Sequence, residues 1–257
     1  MTLGNPTRLT CPHCGKVKHI LSIASGNTFG ATHWSDTKHD YPMLKSPSYV
    51  QRCPHCGHYY FYEDANPVDC DPDELNKKHS LTDWDAEWPG DAGSATISEV
   101  KDRRRQWERW KDANVNGFGV LSFDEMDAAF SELFSLADTN RRQTLLFMWL
   151  FAFNDTYGGR QDGPAPECPQ CVLERRKFVV NELCQRFEGA SLLVSELHRE
   201  VGDFDECIRI AGESTKEVDA RLARIVSNQI IAHAEAKETD VFKLVFHANW
   251  GLERFSA

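Results

Sequence analysis

Two different periodicities divide the chain. From residue 122 onward apolar side chains recur three and four positions apart, the spacing of a helix that buries one face. Met126, Ala129, Phe130, Leu133, Phe134 and Leu136 form one such stripe. Leu145, Leu146, Trp149, Leu150 and Phe153 form a second. Ser122 and Glu125 open the first helix as an S-x-x-E capping box, and Asp138-Thr139-Asn140 caps the next. Residues 154–167, rich in Gly and Pro, read as a loop. Helices are expected over 172–187, 191–201, from 204, over 213–236 and, shorter, over 241–248. Before residue 63 the pattern is different. Residues 16–23 (KVKHILSI) place apolar groups near every second position, and Tyr59-Tyr60-Phe61-Tyr62 is β-prone. Gly26-Asn27 signals a turn.

The alternating segment carries the chemistry. Cys11-Pro12-His13-Cys14-Gly15 recurs as Cys53-Pro54-His55-Cys56-Gly57, and 38 residues separate Cys14 from Cys53. Each C-x-x-C can turn two sulfurs toward one point, and the glycine that follows permits a left-handed backbone. Four thiolates complete a tetrahedral shell with no position left for water, which is the structural type of zinc site. Zn2+ held by Cys11, Cys14, Cys53 and Cys56 is therefore the expected cofactor. A redox pair would need a βαβ setting that neither knuckle has. His13 and His55 lie inside the knuckles, where side chains point outward, and His58 is a further ligand candidate.

A third pair, Cys168-Pro169-Gln170-Cys171, has no partner pair. It reads either as part of a second metal site or as a proline-started helix with two thiols, Cys168 being placed for a lowered pKa.

Composition narrows the functions. The 257 residues are 41% hydrophobic and 26% charged, with a net charge of −10, and the pI is about 5.5. No apolar run reaches the roughly 20 residues of a membrane span. Residues 1–10 lack the apolar core of a signal peptide, and the cysteine pairs suit reduced thiols, so a cytoplasmic location is expected. Charge is uneven. Residues 1–62 hold six basic against two acidic side chains, a balance of +4. Residues 63–95 hold two against ten, a balance of −8. The Pro/Asp/Gly-rich 63–96 reads as a linker or wrapped arm pinned by Trp84 and Trp88. Its Asp69-x-Asp71-x-Asp73-Glu74 lacks the glycine and distal glutamate of a calcium loop. In the helix expected over 98–111, Arg103-Arg104-Arg105 wraps round and reads as a solvated face. The insert between the knuckles reads as a cover for the ribbon's small core or as a recognition surface.

The turn at Gly202, Phe204 and Cys207, within residues 197–208, resembles the centre of a tetratricopeptide (TPR) repeat, with cysteine in place of alanine. No second copy follows at that period. The combination resembles a group of bacterial zinc-ribbon proteins with a helical, TPR-like C-terminal half. The matching stretches are the two knuckles, residues 25–31 with Trp34-Ser35-Asp36, Phe153-Asn154-Asp155 and residues 196–208.

The expected fold is α+β: a β zinc ribbon (1–62), the acidic arm (63–96), then an all-α domain (97–257) with one TPR-like hairpin near 190–214. The chain has no G-x-x-x-x-G-K-S/T, H-E-x-x-H or G-x-S-x-G motif, and Asp155, His198, Asp203 and Asp205 read as caps or solvated groups. The expectation is a non-enzymatic adaptor. Its ribbon would recognise another protein and its helical body would dock one. The alternative is nucleic-acid binding through the basic ribbon and its Phe29, Trp34 and Tyr41.

Overall fold

The computed structural model describes residues 2–3, 7–20, 22–41, 47–69, 119–160, 166–187, 191–214 and 220–244. The expected helix over 98–111, the arginine run, Trp84, Trp88 and the calcium-like aspartates beyond Asp69 lie outside them. Small β-sheets come first and six helices follow among the described residues, an α+β layout. The chain divides into two compact units. One comprises Met1–Phe29 and Pro42–Leu121, the other Gly30–Tyr41 and Ser122–Ala257.

In the first unit, β1 (Thr2–Leu3) pairs with β4 (Ile23–Ser25). β2 (Thr7–Thr10) and β3 (Val17–Ile20) form an antiparallel hairpin with Thr10 opposite Val17. β7 (Val50–Arg52) and β8 (Tyr59–Phe61) form another, with Arg52 opposite Tyr59. Each hairpin holds one knuckle in its loop. Leu9, Cys11, Ile20, Cys53, Tyr60 and Ala65 make the core. The alternation in β3 runs opposite to the simplest reading: Val17 is exposed and Lys18 is buried. Lys18 Nζ donates to Gln51 Oε1 at 2.8 Å and to the Arg52 carbonyl at 2.9 Å, so it stitches the two hairpins together. The sheet also reaches past residue 62. After a 3-10 turn at Tyr62–Ala65, β9 (Val68–Asp69) pairs with β2, so the start of the acidic stretch is sheet rather than linker.

The second unit contains a small hairpin, β5 (Thr32–His33) against β6 (His39–Asp40), and all six helices. They are α1 (Phe123–Leu133), α2 (Thr139–Thr156), α3 (Gln170–Arg186), α4 (Ser191–Glu200), α5 (Phe204–Ser214) and α6 (Ala220–Glu235). The Ser122–Glu125 capping box is formed in both directions, and Asp138 accepts from the Arg141 N–H at 2.9 Å. Phe123, Phe130 and Trp149 stack α1 on α2. α4 and α5 pack as a helical hairpin through Gly202, whose φ is +82°. Cys207 is fully buried there, and Ser195 Oγ donates to its carbonyl at 2.9 Å.

Three expectations change. Leu136 is 79% exposed, because α1 ends at Leu133 and Leu136 sits in the turn that follows. Asn154 and Asp155 belong to the last turn of α2, not to a loop. Residues 213–214 end α5 instead of starting the next helix, and Val241 to Leu244 is extended, with Lys243 bridged to Trp34.

Candidate metal centre and buried polar network

The two knuckles fold alike. The Gly15 N–H donates to the Cys11 carbonyl at 2.9 Å, and the Cys11 N–H donates to that of Lys16 at 2.9 Å. Gly57 to Cys53 (3.0 Å) and Cys53 to His58 (2.9 Å) repeat the pattern. Gly15 and Gly57 take φ of +69° and +79°, the left-handed region where a side chain is strained. The core shared by Leu9, Cys11, Ile20, Cys53 and Tyr60, with Lys18 hydrogen-bonded to Gln51 and Arg52, then joins the two hairpins and brings the four sulfurs together.

Cys11 Sγ lies 3.7 Å from Cys56 Sγ, Cys14 Sγ lies 3.7 Å from Cys53 Sγ, and all four sulfurs are within 4.8 Å of one another. A disulfide needs about 2.05 Å. A tetrahedron of sulfurs about 2.3 Å from a central ion has edges of about 3.8 Å. The cluster therefore has the dimensions of a metal shell and not of bonded cystines. Cys11 and Cys53 are buried, Cys14 and Cys56 exposed.

Packing four thiols this closely spreads their acidities. Burial pushes Cys53 up, but the backbone N–H groups of Cys56 and His55 and the neighbouring thiols outweigh it and leave it at about 6. At Cys56 the His58 backbone pulls down, while burial and the other three thiols drive it up to about 12. One thiolate thus forms readily and the last is strongly opposed, unless a cation neutralises the set. Burial, then the charge of the cluster, also raises the Tyr60 phenol.

His13 and His58 stack outside the cluster with ring centroids 4.7 Å apart. Among the described residues these four cysteines form the one group of three or more close metal-ligating side chains. Cys168 precedes α3 and Cys171 lies in its first turn. Burial pushes Cys168 up despite the nearby Arg176, so the lowered pKa expected for a thiol at a helix start is not found.

The helical unit holds a second constellation, which sequence reasoning missed. Asp36, Asn154, Glu196, Arg199 and Glu200 are all fully buried. Asn154 Nδ2 donates to Asp36 Oδ2 at 2.9 Å and to Glu200 Oε2 at 3.1 Å. Arg160 pairs with Asp36 and, at 2.8 Å, with Asp155, which Lys38 also reaches at 2.6 Å. Arg176 lies over the Phe153 ring and donates to Glu200 at 3.4 Å. Arg199 pairs with Glu196 at 2.6 Å and donates to the Asp240 carbonyl at 2.9 Å. The Ser35 N–H donates to the Phe242 carbonyl at 2.9 Å.

The hairpin of residues 30–41 belongs to the helical unit, where Trp34, Ser35 and Asp36 pin it among the other elements. Asp155, expected as a solvated cap, is an ion-pair member. The available signal was Glu196, Arg199 and Glu200 at helical spacing beside the apolar Val194 and Leu197: charges on a face that ought to be buried.

These acids and bases are largely paired with one another, although Asn154 Oδ1 and Glu200 Oε1 are buried without a hydrogen-bond partner. No helix among the described residues is long and apolar enough to cross a membrane. No protein-family model, curated protein sequence or solved structure matches the chain.

Proposed function

We propose that the chain is a zinc-binding interaction protein, non-enzymatic, with a zinc-ribbon head and a helical body that docks another protein in a reducing cytoplasm. The observation that carries this reading is the cluster of four sulfurs, two pairs of them 3.7 Å apart and all within 4.8 Å of one another. Thiolate tetrahedra suit zinc or iron, and a shell closed by protein leaves no place for substrate. The body supports the docking half of the reading. α4 and α5 pack as one helical hairpin, which we read as TPR-like, a unit that elsewhere presents surfaces. A groove of about 470 Å3 between α1 and α3 is lined by Phe130, Phe134, Phe178 and Arg175, with Phe178 44% exposed.

The test has two arms. Metal analysis of the purified chain is expected to find one zinc, lost in Cys11→Ser and Cys53→Ser but kept in Cys168→Ser. A photo-crosslinking residue at position 178 is expected to capture one defined protein in cells. Protein with intact cysteines and no zinc overturns the head. Absence of any specific adduct from the zinc-loaded chain overturns the body.

Nucleic-acid binding is the second reading. It is favoured by exposed Arg8 and Lys16 on the ribbon and by Phe29, 81% exposed. It requires single-strand affinity that falls steeply from 50 to 200 mM salt.

A further inference from the structure

The hairpin of residues 30–41 brings two imidazoles into register. His33 and His39 are cross-strand partners. Their rings meet edge to face with centroids 4.6 Å apart, and their Nδ1 atoms lie 2.6 Å apart. At that distance one ring donates an Nδ1–H to the lone pair of the other, so both Nδ1 atoms face a common point.

The frame around them is rigid. The turn is closed by Trp34 N–H to the Lys38 carbonyl at 2.9 Å and Thr37 N–H to the Trp34 carbonyl at 3.1 Å. The His33 carbonyl accepts from the Leu244 N–H at 2.8 Å. The surroundings are anionic. Burial and the neighbouring His33 hold the His39 imidazole below its ordinary value, against the pull of the Asp36 and Asp40 carboxylates, which favours the neutral ring that a metal needs. Asp40 is held in place by Trp34 Nε1 at 2.7 Å. Two cations oppose these carboxylates: Lys38, 3.5 Å from Asp40 and engaged by Asp155 at 2.6 Å, and Arg160, which pairs with Asp36. His39 is exposed and His33 half-buried, so an ion can enter from solvent.

We propose that His33 and His39 form a second, exchangeable site for a borderline divalent transition-metal ion such as Ni2+, Cu2+ or Zn2+, with both Nδ1 atoms as ligands and water completing the shell. Imidazole suits these ions. With metal–nitrogen bonds of about 2.0–2.1 Å, two tetrahedral ligands stand about 3.3 Å apart. Taking up an ion therefore requires the two nitrogens to part by about 0.7 Å, with the hydrogen-bonding proton displaced. The site differs from the cysteine centre in every respect that matters for exchange: two neutral ligands in place of four thiolates, and an open shell in place of a closed one. It would load and unload while the ribbon keeps its ion.

The probe is Ni2+, titrated by calorimetry into the intact chain with its cysteine site already filled with zinc and zinc release monitored. One Ni2+ should bind without zinc release. His33→Ala and His39→Ala should each weaken that event at least about tenfold, while His58→Ala, which removes one ring of the other histidine pair, should leave it unchanged. In the unmodified chain, paramagnetic Ni2+ should broaden resonances of residues 32–40 first, a readout that needs no variant to fold. Wild-type affinity in His39→Ala, loss of binding in His58→Ala, nickel uptake matched by zinc release, or broadening centred elsewhere would each overturn the assignment.

Discussion

Glu200 is wholly buried, and burial pushes its carboxyl up to about 7, with Arg176 and Asn154 pulling the other way and Asp36 and Glu196 adding to the rise. A folded-state pKa above the unfolded value of about 4.3 means that folding favours the protonated form. The stability this group contributes is therefore fully present below about pH 4.3 and is lost as pH rises through about 7. Across that window the loss is on the order of 3–4 kcal/mol. Glu200→Gln should flatten the profile: denaturant unfolding at pH 6 and pH 8.5 should show wild type losing more stability than the variant. Asp36→Ala acts differently. It leaves the nearly buried Arg160 guanidinium with Asp155 alone and should cost about 3 kcal/mol, with both proteins kept zinc-loaded for the comparison. Hydrophobic patterning does not forecast either effect. Buried charges carry no periodic signature of their own, and only a helix whose inward face reads Val194, Glu196, Leu197, Arg199 and Glu200 hints that the acids go inside.

At the level of elements, what could be read in advance was what local chemistry decides. The capping box at Ser122 and the apolar faces of α1 and α2 need only neighbours a few residues away, and they form as expected. Ser122→Ala should cost about 1 kcal/mol in thermal unfolding of the helical unit. The knuckles were equally legible, because a four-thiolate site is written in spacing. Strand β3 was misread because its register is set by the knuckle and by Lys18 reaching Gln51, both long-range matters. Two glycines separate backbone strain from packing. Gly202 has φ of +82° and open space where a Cβ would sit, so Gly202→Ala should cost about 1 kcal/mol from backbone strain alone. At Gly158 a Cβ would come within 2.5 Å of Asn154 Oδ1, so Gly158→Ala should displace Asn154 from its carboxylates and cost more. Equilibrium unfolding of the two variants side by side checks the order.

The whole molecule could be anticipated in its halves but not in its threading. Small β-sheets followed by helices were visible from two periodicities. That residues 30–41 would leave the ribbon segment and join the helices was not, since nothing local says which buried partner Asp36 will find. Removing the metal with a chelator should abolish the ribbon's tertiary signals while far-UV helical signal is largely retained, because the described helices lie in the other unit. Loss of both together in a single transition would mean that the two units fold as one.

The clasp on that hairpin also fixes an order of events. Asp36 closes onto Asn154, 118 residues later, and Ser35 onto Phe242, 207 residues later. On a ribosome adding about 5–20 residues per second, the hairpin is exported first and must wait on the order of ten seconds or more for its last partner. Both knuckles emerge long before that, so metal can cinch the base of the loop while its tip is still unclaimed. Pinning the two ends of the insert shortens the search its tip must make, because the entropy of closing a loop falls when its ends are already held. In kinetic terms an ion held there would be a chaperone built into the chain: bound early, it should hasten the last long-range step, and refolding without it should be slowest at the docking of Trp34.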